Sequence, residues 1–281
     1  MKIVKLKKEM KKIAEGLRKS RCSIGFVPTM GFLHQGHMSL VEQAKKDCDK
    51  VVVSIFVNPI QFGKGEDFKS YPRDISSDFL KCKNGGADII FLPSTEDIYP
   101  KGFQTYVDVS RLSKYLCGIS RPGHFAGVAT VVLKLFNIVK PHRAYFGEKD
   151  YQQILIIKQM VTDLDLDVKI INMPIVREAD GLAMSSRNRY LTKVQRKRAR
   201  ILNDALGMGE RLIKEGERNP KKVVKELRGM ILSQKTGEID YISLCAPDTL
   251  EELVEIRGKV LIALAVKIGR ARLIDNRLIG I

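Results

Sequence analysis

Apolar and polar side chains follow one another along this chain in alternating helical and strand-like periods. Residues 4–19 mix apolar with charged side chains at helical spacing and predict a short amphipathic helix. Residues 24–27 form a short apolar run that stops at Pro28, the pattern of a buried strand. A turn rich in Gly and His follows, then a stretch of helix-forming composition from Ser39. Residues 51–57 are apolar on both faces apart from Ser54, as central parallel strands are. Residues 74–84 predict a helix and 88–92 a strand. Further on, 128–139 and 151–162 carry helical spacing, and 144–146 and 167–172 read as short strands. This rhythm predicts an α/β domain with a parallel sheet and right-handed crossovers.

The pattern changes after Pro174. Residues 193–216 and 220–234 predict two charged amphipathic helices, the second opened by Asn219-Pro220 with proline at the first helical position. Residues 240–244 and 259–266 predict strands of a small separate sheet. We expect a boundary near 175, giving a larger parallel-sheet domain over 1–175 and a smaller C-terminal α+β domain over 176–281 that acts as a lid.

Composition narrows the function classes. No apolar run approaches the ~20 residues of a membrane span. The N-terminus lacks the apolar block of a signal peptide, so the expectation is a cytoplasmic protein without a membrane partner. The five cysteines are scattered and form no CxxC pair, which argues for reduced thiols. The net charge of +17 attracts polyanions, but the basic residues are spread over helical stretches and there is no Trp to stack on bases. Even the densest basic run, Arg196-Lys-Arg-Ala-Arg200, does not fall on one helical face. Nucleic acid is not the expected partner.

Candidate chemistry gathers at a few turns. Of the four histidines, two fall in His34-Gln-Gly-His37, where a strand has stopped and a helix begins. A helix start offers free backbone N–H groups and a positive dipole end to phosphate, and two imidazoles add donors. Alone, the turn also suits surface histidines; a metal pair lacks a third His or Cys nearby. Asn58 and Gln61 follow a strand end, where neutral amides can bind the hydroxyls and carboxylate of a small acid. Gly147-Glu148-Lys149-Asp150 combines close backbone approach, a cation for phosphate and an acceptor for ribose hydroxyls. Met184-Ser185-Ser186-Arg187 sets two hydroxyls and a guanidinium in sequence, equally a phosphate grip or a helix cap.

His34-Gln-Gly-His37 resembles the HxGH signature of the nucleotidylyltransferase superfamily. The longer string Pro28-Thr-Met-Gly-Phe-Leu-His-Gln-Gly-His37 is similar to that of the pantoate–β-alanine ligase family. Phe56-Val-Asn-Pro-Ile-Gln-Phe62, Tyr71-Pro-Arg73, Arg121-Pro-Gly-His-Phe-Ala-Gly-Val128, Phe146-Gly-Glu-Lys-Asp-Tyr-Gln-Gln153 and Asp180-Gly-Leu-Ala-Met-Ser-Ser-Arg-Asn188 match it in order. The resemblance implies a Rossmann-like first domain and ATP-dependent joining of pantoate to β-alanine through pantoyl adenylate. It implies ATP contacts from Met30, Gly31, Phe32, Leu33, His34, Gln35, Gly36 and His37. Further ATP contacts are implied for Gly147, Glu148, Lys149, Asp150, Val176, Met184, Ser185, Ser186 and Arg187. His34, His37 and Lys149 are the implied catalytic groups. Asn58, Gln61 and Gln153 would bind pantoate beside β-alanine.

The family's acidic residues after Tyr-Pro-Arg help hold Mg²⁺. Here Ser77 stands where many relatives carry a carboxylate, which leaves Asp78 as the metal candidate. Small-molecule substrates and a homodimer complete the implied partners. Two alternatives share parts of the pattern: another HxGH nucleotidylyltransferase acting on a phosphorylated vitamin precursor, and a tRNA-binding synthetase-like module.

Overall fold

The computed structural model describes residues 1–234 and 237–281. They divide into two compact units. The first comprises Met1–Ser113, Arg121–Glu148 and Gln153–Pro174. The second comprises Lys114–Ser120, Lys149–Gln152 and Ile175–Ile281.

The first unit is built on a parallel sheet of β1 (Lys2–Val4), β2 (Ile24–Thr29), β3 (Lys50–Ile55), β4 (Ile89–Phe91), β5 (Arg143–Gly147) and β6 (Lys169–Met173). Their order across the sheet is β1-β4-β3-β2-β5-β6. Val51, Val52 and Val53 of β3 are fully buried, so both faces of this central strand are covered. Helices α1 (Lys7–Lys19), α2 (Gln35–Asp47), α3 (Ile75–Asn84), α4 (Thr95–Ile98), α5 (Cys117–Ser120), α6 (His124–Val139) and α7 (Tyr151–Asp163) follow in chain order; α5 and the first two residues of α7 belong to the second unit. On one face Val51, Val53 and Ile55 pack with Val41 and Ala44 of α2 and Cys82 of α3.

The predicted parallel α/β sheet is present, with one addition. Residues 2–4 form the edge strand β1, paired to β4, ahead of a helix that begins at Lys7. Helix α6 also starts earlier than its spacing suggested, at His124, after Gly123 in the left-handed region.

In the second unit, α8 (Lys193–Ala199), α9 (Ile201–Lys214) and α10 (Pro220–Ser233) accompany an antiparallel sheet of β7 (Glu238–Cys245), β8 (Val260–Ile268) and β9 (Ala271–Ile279). The helix expected over 193–216 is broken at Arg200, and a third strand, β9, joins the two expected ones. Leu202, Leu206 and Ile213 of α9 meet Ile262, Leu264 and Val266 of β8 in this core. Among the described residues, no helix is long and apolar enough to cross a membrane.

Candidate active site

Three parallel strands carry the predicted segments at the same end of the first unit's sheet. β2 runs into Met30–His37, β3 into Asn58–Gln61 and β5 into Gly147 and Glu148. Chain order reverses between β2 and β5, since β3 and β4 lie on one side of β2 and β5 and β6 on the other. At such a switch point the loops leaving the strands diverge and open a crevice. The β2–β5 register runs only through Gly25↔Arg143 and Phe26↔Ala144, although β2 continues to Thr29 and β5 to Gly147. The ladder therefore ends before the strands do.

The loop between β2 and α2 is gripped by α3. Gly31 (φ +81°) and Phe32 (φ +52°) both sit in the left-handed region, costly for Phe32 unless the surroundings hold it there. Asp78 holds it: its carboxylate accepts from Phe32 N–H at 2.8 Å and from Leu33 N–H at 2.7 Å. One helical turn on, Lys81 Nζ donates to Leu33 O at 2.7 Å. A Cβ on Gly31 would meet Ile55 Cγ2 at 3.0 Å and Asp78 Oδ2 at 3.1 Å, so the close approach needs glycine as well. Burial pushes the Asp78 carboxyl above the ordinary carboxylate value, against the two backbone N–H groups that favour its ionised form.

His34 caps α2 with extended backbone (φ −134°, ψ 176°). Its N–H donates to His37 Nδ1 at 3.3 Å, and the two rings lie 4.0 Å apart between centroids. Because Nδ1 accepts, the proton of a neutral His37 ring sits on Nε2, the nitrogen turned away from the cap. The first turn of α2 carries no acidic residue, and the N–H groups of Gln35 and Gly36 lie outside the intrahelical ladder. The result is an electropositive turn suited to phosphate. Gln35 is exposed there; Met30, Phe32, His34, Gly36 and His37 are half-buried; Gly31 and Leu33 are buried and serve the loop's packing.

After β3, a single 3-10 turn, Pro59–Gln61, brings the two predicted amides together. Asn58 Nδ2 donates to Gln61 Oε1 at 2.9 Å and to Gly127 O at 3.1 Å. The Gln61 backbone carbonyl accepts from His124 Nδ1 at 2.8 Å and from Arg121 Nη2 at 3.4 Å. Arg121 Nη1 donates to His124 Nε2 at 2.9 Å, so that nitrogen accepts and Nδ1 carries the proton. Glu66 completes the chain, accepting from Arg121 Nε at 2.6 Å and Nη2 at 2.7 Å. Desolvation alone would raise the Glu66 carboxyl; the Arg121 bonds and charge outweigh it and hold the group below its ordinary value.

Arg121 and His124 were legible only as part of a motif, without a role. Their signal was an Arg-Pro-Gly-His turn directly ahead of an apolar helix. Gln153 lies half-buried in the first turn of α7, whereas the adjacent Gln152 is buried. Gln152 is committed to packing in the second unit: Oε1 accepts from Cys117 N–H and Nε2 donates to Tyr115 O.

Within the second unit, Lys149 Nζ lies 3.5 Å from Asp150 Oδ2, and Asn276 Nδ2 donates to Lys149 O at 3.0 Å. Asn276 N–H in turn donates to Asp275 Oδ1 at 2.8 Å. The Asp275 carboxylate is buried and paired twice with Arg177, at 2.7 and 2.9 Å. Arg177 belongs to a tight hairpin in which Met184 N–H donates to Val176 O at 3.0 Å. Ser185 Oγ then accepts from Arg187 N–H at 3.2 Å and starts the 3-10 turn Ser186–Tyr190. Val176 and Met184 thus face each other on one anchored hairpin, and Ser185, Ser186 and Arg187 lie in the turn that leaves it.

Among the described residues no group of three His, Cys, Asp or Glu side chains could hold a metal ion. Asp78 is fully buried, with each oxygen bonded to backbone. Its visible work is to hold the loop.

Comparison with known proteins gives a consistent result. The family model described as pantoate-beta-alanine ligase matches residues 2–278. A pantothenate synthetase of Caldicellulosiruptor bescii is 54% identical over 276 residues, covering 98% of each chain. One from Pseudothermotoga lettingae is 51% identical over 280 residues, covering 100% of this chain and 99% of the relative. The crystal structure of the Thermus thermophilus enzyme superposes with a TM-score of 0.93 at 42% identity, covering 99% of each chain. That of a Francisella tularensis pantoate-beta-alanine ligase, complexed with beta-gamma ATP and beta-alanine, gives 0.82 at 37% identity, covering 99% of this chain and 97% of the other.

Proposed function

The chain belongs to the pantoate–β-alanine ligase family and is a ligase, and on that premise we propose how its residues carry the reaction. A carboxylate oxygen of pantoate attacks the α-phosphorus of ATP. Pyrophosphate leaves and pantoyl adenylate forms. The free amine of β-alanine then attacks the acyl carbon; the C–N bond forms, the C–O bond to AMP breaks, and the nitrogen releases its proton. The products are pantothenate and AMP.

The observation that supports this best is the His34–His37 turn at the sheet's switch point. A helix start free of acidic side chains, with two imidazoles beside it, suits the charge that builds on the phosphates during attack. His34 and His37 take that role in the first unit. In the second, Lys149, Ser185, Ser186 and Arg187 bind phosphate, and Asp150 binds ribose. Asn58, Gln61 and Gln153 bind pantoate. Mg²⁺ accompanies ATP on its phosphates, as magnesium usually does. No covalent enzyme intermediate is required, so rate comes from positioning and electrostatics. The homodimer rests on the family resemblance alone; sedimentation tests it.

The test is pyrophosphate release from ATP and pantoate before β-alanine is added. A burst equal to the number of active sites is expected. No pyrophosphate without β-alanine would count against a separate adenylate step. Neither alternative is favoured: a phosphorylated vitamin precursor should not replace pantoate, and RNA should not be retained at moderate salt.

A further inference from the structure

Tyr99 lies outside every segment assigned a role above. It caps α4, with its N–H on Thr95 O at 2.7 Å. Its ring packs against Phe56 and Phe103, at centroid distances of 6.2 and 4.9 Å. The hydroxyl is thereby aimed at Asn58 Oδ1, to which it donates at 2.8 Å. Burial pushes this phenol well above its usual pKa, so it keeps its proton and remains a donor.

The direction of each amide in this chain is settled by chemistry. Gly127 O can only accept, so the Asn58 group facing it is Nδ2. Asn58 Oδ1 must then face Tyr99, and Asn58 is only 1% exposed, so that oxygen depends on the Tyr99 donor. The same Nδ2 draws Gln61 Oε1 toward itself. Gln61 Nε2 is left facing Met30 Sδ at 3.0 Å. A thioether is a weak acceptor, so this N–H is readily surrendered to an oxygen ligand.

We infer that Tyr99 is a positioning residue of the acid pocket: through Asn58 it holds Gln61 with its N–H, rather than its carbonyl oxygen, toward the substrate. The pocket then selects an acid that places a hydrogen-bond acceptor at that point. This inference rests on the assignment of Asn58 and Gln61 to pantoate. Tyr99→Phe keeps the ring and removes only the donor. Asn58 Oδ1 is then buried without its partner, and the amide that holds Gln61 Oε1 loses one of its fixed points.

The experiment is a double-mutant cycle read in KM for pantoate and for ATP, with Tyr99→Phe, Asn58→Ala and the pair. Tyr99→Phe should raise KM for pantoate roughly tenfold and leave KM for ATP within about twofold. In the Asn58→Ala background the same change should add less than about twofold, because its route to the substrate is gone. Asn58 is buried and its loss can impair folding, so the cycle is repeated with Gln61→Ala, where the same shortfall is expected. A full additive effect in either background, or equal rises for ATP and pantoate, overturns the inference. Pantoate KM unmoved by Asn58→Ala or Gln61→Ala overturns the acid-pocket assignment itself. Pantoate KM raised by those variants but not by Tyr99→Phe overturns only the role of Tyr99.

Discussion

The Asp78 carboxylate meets the backbone of Leu33 across 45 positions of sequence, Oδ1 accepting from the Leu33 N–H at 2.7 Å. With the second oxygen on Phe32 N–H and Lys81 on Leu33 O, one face of α3 fixes the loop that leads into His34. The turn proposed to bind phosphate is therefore preorganised before any ligand arrives, and the cost of holding Phe32 at positive φ is met by these bonds.

Asp78→Asn offers one acceptor oxygen where two N–H groups need partners, and sets a donor against the other. The loss should be about 1–3 kcal/mol, the usual cost of a buried donor left unmatched. Thermal unfolding of the ligand-free protein should fall by several degrees, about 2–4 °C per kcal/mol for a chain of this size class. The fall should be the same with EDTA as with Mg²⁺. An unchanged melting temperature together with a raised Mg²⁺ requirement would return Asp78 to metal binding.

Gly127 packs α6 against the 3-10 turn that carries Gln61. A Cβ there would lie 2.5 Å from Ile60 O and 2.7 Å from Gln61 Cα. Gly127→Ala should cost about 1–3 kcal/mol through overpacking, and should raise KM for pantoate by displacing Gln61. Gly229 of α10 gives the contrast, with nothing within 4 Å of its added Cβ. Gly229→Ala should stabilise by about 0.5–1 kcal/mol through helix propensity and leave kinetics untouched. Denaturant unfolding and initial rates on both variants check the pair.

The Glu66–Arg121 pair gives a pH signature. The folded protein holds Glu66 below its ordinary carboxylate value, so the unfolded chain binds the proton more readily. The stability due to Glu66 ionisation is present above the ordinary value and is lost as pH falls through the depressed folded one. Glu66→Gln should therefore be less stable than the parent at pH 7. The gap should narrow as pH drops below about 4. A gap that stays constant with pH would show that the loss is one of packing.

How far the sequence discloses this arrangement can be read from single residues. The parallel sheet was legible because Val51, Val52 and Val53 make a run that only a strand covered on both faces tolerates. Strand β9 was not, because Asp275 and Asn276 sit in its middle. Both are buried, and their partners, Arg177 and the Lys149 carbonyl, are remote in sequence. The break at Arg200 had no Gly or Pro to mark it; its backbone stays in the right-handed helical region. His34 and His37 stood out as histidines at a helix start, and Asn58 and Gln61 as amides after a strand. Their holders, Asp78, Tyr99, Gly127 and the Arg121–His124 pair, act through tertiary contacts that no local pattern displays.

On the proposed function His37 has two separable tasks, the observed cap on His34 N–H and a donor to phosphate. Asparagine can place an oxygen near the position of Nδ1 and keep the cap on His34 N–H, whereas glutamine can place an N–H near the position of Nε2. His37→Asn should fold normally and lose about 10²–10³ in the adenylation rate, the scale for removing one preorganised donor. His37→Gln should retain more of that rate. Single-turnover pyrophosphate release checks both, and equal rates in the two variants would remove the outward N–H from the account.

The central claim is that pantoate's carboxylate attacks the α-phosphorus of ATP. Pantoate labelled with ¹⁸O in its carboxylate tests this directly when the protein converts it with ATP and β-alanine and the phosphorus products are resolved by mass. The account predicts one ¹⁸O atom in AMP and none in pyrophosphate. Label in inorganic phosphate with ADP as the nucleotide product, or AMP free of label, would contradict it.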